Sequence, residues 1–135
     1  MPAKDRYHDT VKRALRKNGW QITREQVRVT FEDKNLWIDI QAEHPDQERI
    51  VLIEVKELEK VSSPVEALAC AIGKYLVYRM GLRNTNSDSP LYLAITSAAY
   101  DGVINTSLGQ QAVAEFGILL LVFDPVQEVV QRWIP

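Results

Sequence analysis

The chain has 135 residues, of which 46% are hydrophobic, and its formal net charge is −2. We expect one domain over residues 1–135 with enough apolar material for a core, and the small negative charge argues against a protein that coats nucleic acid without specificity. The longest uninterrupted apolar stretch, residues 118–123, is too short to cross a bilayer, and charges from Lys4 onward are unlike a signal peptide. These features predict a soluble, cytoplasmic protein.

The first predicted element is an amphipathic helix over residues 5–18, with Val11 and Leu15 turned inward and Asn18-Gly19 as its end signal. Residues 1–28 hold eight Lys or Arg against three acidic residues, a surplus of five positive charges. Two interpretations stand: these bases contact nucleic-acid phosphates in a salt-dependent manner, or they form an ordinary solvated helix face. The bases clustered on the helix are Lys12, Arg13, Arg16 and Lys17.

Residues 21–31 predict one or two short strands, and residues 35–42 predict a further strand because apolar residues recur at every second position. The alternation gives this strand one apolar face and turns Asp39 to the opposite face. A carboxylate inside such a pattern indicates an ion pair or a metal site, because its burial is costly unless it is paired or metal-bound. The predicted apolar face consists of Leu36, Ile38, Ile40 and Ala42.

The strand predicted at residues 49–57 contains a nearly continuous, β-branched apolar run that starts at Ile50, which predicts a central strand covered on both faces. Glu54 and Lys56 nevertheless point to one side of this strand, because they are two residues apart. A turn at residues 44–46 would join the two strands as a hairpin and bring Asp39, Glu54 and Lys56 together. Two carboxylates and one ammonium are the minimum set for holding Mg²⁺ or Mn²⁺ beside a phosphodiester, whereas the alternative is a same-face ion pair of Glu54 with Lys56.

The clearest helix start lies at Ser63, an N-cap serine followed by Pro64 at the first helical position and Glu66 at the third. The single cysteine, Cys70, is predicted to be a small core residue of this helix that forms no internal disulfide. The stripe predicted to face the core consists of Val65, Leu68, Ala69, Ile72, Leu76 and Met80.

The rest of the chain alternates strands with a helix after a polar loop at residues 84–90. We predict a strand at residues 91–96, a helix at 106–116 ended by Gly117, a buried strand at 118–123 and a terminal strand at 127–134. The predicted fold is a mixed α/β sandwich, in which helices cover a sheet whose central strands carry the charges.

Several segments, in the same order along the chain, resemble the XisH family of cyanobacterial fdxN element excision controlling factors. They are Met-Pro-Ala-Lys-Asp with Tyr7-His8-Asp9, residues 38–43, Glu54-Val55-Lys56, residues 71–79, and residues 122–125 leading to residues 133–135. The resemblance implies a restriction-endonuclease-like fold of the PD-(D/E)XK type, a three-layer sandwich with a mixed sheet flanked by helices. It also implies a role in site-specific removal of a DNA element in developing nitrogen-fixing cells (heterocysts), together with the partner factor XisI and a separate recombinase.

The resemblance assigns roles to the residues already singled out. Asp39 and Glu54 would bind Mg²⁺ or Mn²⁺, the backbone carbonyl of Val55 would complete the metal shell, and Lys56 would steady the attacking water or the developing phosphate charge. Nuclease relatives often carry a further acidic residue on the first helix, for which Asp9 is the candidate if it is not a surface charge.

His8 is a weaker candidate for that role, and we expect both His8 and His44 to be surface residues, because neither has a ligand-like partner at helical or hairpin spacing. Many nucleases of this fold also carry Gln-x-x-x-Tyr on the helix after the lysine strand, where this chain has Lys74 and Tyr78. Lys74 can attract phosphate, but it lacks the amide that both donates and accepts.

Three functional hypotheses follow. The first is a metal-dependent DNA endonuclease, and the second is a nuclease-fold accessory factor that binds DNA or the recombination complex without cutting. The third is a protein-interaction subunit whose apolar surface docks a partner. A homodimer is compatible with each of them.

Overall fold

The sheet at the centre of the molecule has six strands in chain order. The computed structural model describes residues 5–59 and 62–135, so that Lys4 and the rest of the opening motif before Asp5 lie outside the described residues. The strands are β1 (Gln21–Phe31), β2 (Lys34–His44), β3 (Arg49–Val55), β4 (Leu91–Thr96), β5 (Leu119–Asp124) and β6 (Val129–Ile134). The β1–β2–β3 meander and the β5–β6 hairpin are antiparallel, whereas β3, β4 and β5 run parallel.

Helices cover both faces of this sheet. The helices are α1 (His8–Lys17), α2 (Pro64–Asn84), the short α3 (Ser97–Ala99), which runs into a wider π-type turn at Tyr100–Ile104, and α4 (Ser107–Phe116). α1 contributes to one apolar core, and α2, the π-type turn and α4 contribute to a second core on the other face. This arrangement confirms the predicted class, a three-layer mixed α/β sandwich, although the short helical segment after β4 was not predicted.

α2 begins, and α1 ends, where local signals placed them, whereas α1 begins at His8 and not at residue 5 as predicted. Ser63 accepts a hydrogen bond from the backbone N–H of Glu66 at 3.3 Å, as expected of an N-cap. α1 ends at Asn18, and Gly19 adopts a φ of +90°, a conformation that favours glycine. Val11 and Leu15 are fully buried, which confirms the predicted inward face of α1.

The predicted core stripe of α2 is only partly right. Val65 and Met80 are about half exposed, and Ala69 and Cys70 are exposed as well, so the cysteine is not the core residue that we predicted. Apolar residues occur all round α2, and their periodicity therefore does not identify which face of the helix is buried. The residues that this helix buries are Leu68, Ala71, Ile72, Tyr75, Gly81 and Leu82.

Tyr75 fixes the orientation of α2. Its hydroxyl donates to the carbonyl of Leu91 at 2.7 Å and accepts from the N–H of Leu119 at 3.2 Å, so the helix is tied to the starts of two parallel strands. An amphipathic aromatic is well suited to this position, because it fills core volume and still satisfies buried backbone groups.

The apolar face predicted for β2 is divided between the two cores. Leu36 and Ile38 pack with the α2 side, whereas Ile40 and Ala42 pack with the α1 side. The change of side occurs at Asp39. The register places Gln26 across from Asp39, and Gln26 has a φ of +49°. This irregular pair lies beside the candidate site described below.

No helix among residues 5–59 and 62–135 is long and apolar enough to span a membrane.

Replacing Gly109 with alanine should strongly destabilise the protein. A Cβ at this position in the first turn of α4 would collide with the carbonyl oxygens of Val103 and Ile104 and would lie 2.7 Å from the Ile104 Cα. Because the obstacle is backbone, we expect a loss of about 2–3 kcal/mol in the free energy of unfolding, measured by urea denaturation.

Gly73→Ala is the matched control for this helix substitution. Gly73 is exposed on α2, and a Cβ there would meet nothing within 4 Å. The alanine should stabilise the protein by about 0.5–1 kcal/mol through helix propensity. Equal effects of the two substitutions would contradict the close contact between α4 and the π-type turn.

Candidate active site

The candidate site lies where β2 and β3 separate. Their ladder runs from His44↔Arg49 to Ile40↔Ile53, and beyond it side chains take over the hydrogen bonds. The Asp39 N–H donates to Glu54 Oε1 at 3.0 Å, and the Val55 N–H donates to Asp39 Oδ2 at 2.8 Å. Each carboxylate is therefore held by backbone of the opposite strand.

Both carboxylates are buried, since Asp39 is 5% exposed and Glu54 is 3% exposed. Burial, followed by the repulsion of Asp39, raises the pKa of Glu54 to about 7. Burial also raises the pKa of Asp39, against the opposing effect of the Val55 hydrogen bond. The pair therefore has an unmet demand for positive charge or for a proton near neutral pH.

Lys74 of α2 meets part of that demand. Its Nζ lies 3.1 Å from Glu54 Oε2, and the ammonium lies 5.2 Å from the centre of the Tyr78 ring. Burial lowers the pKa of Lys74, but the charge and hydrogen bond of Glu54 outweigh this effect and leave the pKa raised. Tyr78 is half-buried and packs against the α2-side core, so it also supports the lysine.

Lys56 shares a narrow cleft with Glu54 and Lys74. The cleft has a volume of about 10 Å³, roughly the space of one water, and Val55, Ala71, Tyr75 and Leu93 complete its lining. The Lys56 side chain is half-buried, and its N–H continues the ladder to the carbonyl of Ala94 at 3.1 Å. Glu54 is paired with Lys74, so the alternative of a simple Glu54–Lys56 ion pair does not describe this site.

Comparison with known proteins decides the family. The family model described as XisH protein matches residues 1–131. The chain belongs to the XisH family. No curated protein matches the chain.

Two solved structures are similar over nearly the whole chain. A crystal structure of an XisH family protein from Nostoc punctiforme PCC 73102 is 32% identical, covers 97% of this chain and 100% of its own, and has a TM-score of 0.89. A crystal structure of an fdxN element excision controlling factor protein from Anabaena variabilis is 34% identical, covers 98% and 100%, and has a TM-score of 0.90.

In this XisH family member, the prediction that His8 is a surface residue is wrong. His8 is 1% exposed, and its Nε2 lies 2.9 Å from Glu25 Oε1. The sequence did contain a signal, because His8, Val11 and Leu15 are spaced by three and four residues and therefore share the buried face of α1. His44 is only partly exposed, because its ring packs edge-on against Trp20 at 5.2 Å between centroids.

Asp9 belongs to a second group of potential ligands at the start of α1. One ligand atom each from His8, Asp9 and Glu25 lies within 4.8 Å of the others, and Asp9 and Glu25 are exposed. The Lys12 ammonium lies 3.1 Å from Glu25 and 3.6 Å from Asp9, so a cation already occupies this surface position. Asp9 therefore belongs to a surface cluster at the start of α1, in which Lys12 is an ion-pair partner.

The basic residues of α1 are largely engaged by the protein itself. Arg13 donates to Glu128 Oε2 through Nε at 2.9 Å and Nη2 at 2.7 Å, and Lys17 donates to the carbonyl of Gln127 at 2.9 Å. Arg16 is exposed. The cluster predicted to bind nucleic acid therefore also fastens α1 to the β5–β6 turn.

Proposed function

We propose that this XisH protein is a controlling factor for excision of a DNA element, and that it hydrolyses DNA phosphodiesters with the help of a divalent cation bound by Asp39 and Glu54. The single observation that carries the proposal is the pair of buried carboxylates at the end of the β2–β3 ladder. The name of the Anabaena variabilis relative supports the excision role, and the Asp39, Glu54 and Lys56 set supports assignment to the PD-(D/E)XK class.

The residues present fit Mg²⁺ or Mn²⁺. Carboxylate and carbonyl oxygens are the ligands that these cations prefer, and Asp39, Glu54 and the carbonyl of Val55 would supply them. The pKa of both carboxyl groups is raised by burial, and a cation bound between them would offset that cost.

The remaining residues have defined tasks in the proposed reaction. When bound, the cation would stabilise negative charge developing on the scissile phosphate. Lys56, at the same cleft as Glu54, would donate to the attacking water or to a phosphate oxygen. Lys74 would exchange its contact with Glu54 for a phosphate oxygen, because its side chain is half exposed and can move.

Calorimetric titration with Mn²⁺ and Mg²⁺ tests the cation site without knowledge of the DNA sequence. We expect the wild-type protein to bind one cation with release of protons at pH 7, because Glu54, whose pKa is raised to about 7, is partly protonated there. Glu54→Ala should lose this binding. If wild type and Glu54→Ala give equally small heats, even with a DNA duplex added, the catalytic part of the proposal is wrong.

Lys56→Ala separates binding of the cation from cleavage. This variant should bind Mn²⁺ within a few-fold of wild type, whereas cleavage of supercoiled or single-stranded DNA should fall at least about 100-fold. Glu57→Ala, which removes the neighbouring half-buried side chain, is the matched control and should cleave like wild type. A fully active Lys56→Ala variant would show that this lysine takes no part in cleavage.

A second candidate function is an accessory factor that binds a partner without cutting DNA. It is favoured by an apolar groove of about 370 Å³ between α2 and α4, where Val65, Leu108 and Phe116 are each at least 40% exposed. The partners proposed under both functions are DNA, the factor XisI, a recombinase complex and a second copy of this chain. Salt-sensitive DNA binding without turnover in the presence of Mn²⁺ would favour this second function.

A further inference from the structure

The side of α2 that faces solvent is apolar. Of the exposed residues between positions 65 and 80 of this helix, only Glu66 and Lys74 are charged, and the Lys74 ammonium is paired with the buried Glu54. The outer side of a helix at a protein surface normally carries charged and polar residues. The outer side of α2 therefore has the composition of a buried one. Its exposed apolar residues are Val65, Ala69, Cys70, Gly73, Val77 and Met80.

This apolar surface continues onto α4. Of the seven large hydrophobic residues that are exposed in residues 5–59 and 62–135, five lie on α2 or α4. Leu108 and Phe116 of α4 are 53% and 40% exposed, and together with α2 they line the groove of about 370 Å³. A continuous apolar patch on a protein of this size marks an interaction surface.

The spacing of the exposed residues on α2 fits a helix as the partner element. Val65, Ala69, Gly73 and Val77 follow one another at intervals of four residues, so they lie along one side of the helix. Side chains at such intervals form the ridges by which one helix packs along another. Gly73 lies at the middle of residues 65–80, and a Cβ there would meet nothing within 4 Å. The backbone of α2 is therefore open to close approach by a second helix.

The charges at the two ends of α2 favour a second copy of this chain. Glu66 lies in the first turn of the helix, and the exposed Arg83 lies in the last turn. A second α2 that packs antiparallel would place the acidic end of each helix beside the basic end of the other, whereas a parallel copy would bring like charges together. A surface that matches its own copy after a two-fold rotation is the basis of most protein dimers. The net charge of −2 adds little repulsion between two copies.

We propose that the outer side of α2 and the adjoining groove form the interface of a homodimer, in which the two α2 helices pack antiparallel about a two-fold axis near Gly73. Met80 of each copy then lies beside Val65 of the other. This inference goes beyond the proposed cation site and does not require Asp39 or Glu54. It gives the apolar groove one specific occupant.

Sedimentation equilibrium over a range of protein concentrations tests the dimer. The wild-type protein should have twice the mass of the chain, and Leu108→Glu should raise the dissociation constant at least about 100-fold, because each copy would bury a carboxylate without a partner. Val126→Glu is the matched control and should dimerise like wild type, since Val126 is 88% exposed in the turn between β5 and β6.

Met80→Glu is a second variant at the other end of the interface. Because Met80 and Leu108 are each about half exposed, both variants should fold, as circular dichroism will verify. A dimer that persists in both variants would overturn the inference. A wild-type protein that stays monomeric at the highest concentration would also overturn it, and the groove would then be open to a different protein, as the second candidate function requires.

Disulfide crosslinking determines how the two helices are oriented. In a Cys70→Ser background, which removes the single cysteine of the chain, Gly73→Cys should give a covalent dimer under mild oxidation because both copies of residue 73 lie near the axis. Val65→Cys in the same background is the control, because its two copies would lie about 24 Å apart along antiparallel helices. Equal crosslinking of both variants, or none by Gly73→Cys, would overturn the inference.

The dimer and the proposed cation site can fail separately. Leu108 does not line the cleft that Glu54, Lys56 and Lys74 share, so Leu108→Glu should bind Mn²⁺ like wild type. A wild-type protein that dimerises but binds no Mn²⁺ would contradict the cation site and support the dimer. A monomer that binds Mn²⁺ through Glu54 would overturn the dimer and leave the cation site standing.

Discussion

Glu54→Gln should make the protein more stable than wild type at alkaline pH. Burial, followed by the charge of Asp39, raises the pKa of Glu54 from 4.5 to about 7 in the folded state. The folded state therefore holds this proton more tightly than the unfolded state, and wild-type stability falls as pH rises from 4.5 to 7. A rise of this size corresponds to about 3 kcal/mol, and glutamine removes the cost of ionisation.

Urea denaturation of both proteins between pH 5 and pH 9 measures the difference. Glu54→Gln should exceed wild type by about 2–3 kcal/mol at pH 8.5 and by about 1 kcal/mol or less at pH 5. Glu43→Gln, which changes a half-buried carboxylate elsewhere on β2, should follow the wild-type profile. A gap between wild type and Glu54→Gln that does not change with pH would show that Glu54 is not the titrating group.

Lys74→Gln should lower the stability of the cation-free protein and raise its affinity for Mn²⁺. The Lys74 ammonium lies 3.1 Å from Glu54 Oε2, so its removal leaves two neighbouring carboxylates with less compensation. Because the lysine side chain is 46% exposed, solvent screens part of the loss, and we expect about 1–2 kcal/mol of unfolding free energy at pH 8. The oxygen released by the lysine should raise Mn²⁺ affinity about 10-fold.

Two comparisons isolate the contact between Lys74 and Glu54. In a Glu54→Gln background, Lys74→Gln should change the unfolding free energy by less than about 0.5 kcal/mol, because the partner charge is already absent. Lys34→Gln removes an exposed lysine on β2 and should leave both stability and Mn²⁺ affinity unchanged. Weaker Mn²⁺ binding by Lys74→Gln would show that the lysine assists the cation instead of competing with it.

The strands and capped helices could be predicted because their signals are local. Alternation in residues 35–42 and the Ser63 cap depend on neighbours a few positions away, and both predicted elements occur. The approach of Asp39 to Glu54 also followed from a short hairpin. Local patterns could not show that Glu54 pairs with Lys74, because that contact depends on how α2 crosses the sheet.

The errors share a physical origin. The sequence predicts Val65, Cys70 and Met80 in the core because α2 is apolar on several sides. In the structure, packing around Tyr75 determines which side of α2 is buried, and these three residues are exposed. His8 is predicted at the surface because no ligand-like partner lies at helical or hairpin spacing, whereas its actual partner, Glu25, comes from β1. Sequence patterns predict what a side chain can do, but the partner that makes its burial tolerable often lies far along the chain.

The separation of β2 from β3 makes two backbone amides into reporters of the site. In most of a sheet, an amide proton bonds to a carbonyl whose charge never changes, but the N–H groups of Asp39 and Val55 bond to carboxyl oxygens. Protonation of a carboxyl group weakens it as a hydrogen-bond acceptor. A bound cation weakens it as well, because the cation polarises the carboxylate oxygens. The chemical shift and exchange rate of these two amide protons therefore record the charge state of the candidate site from within the backbone.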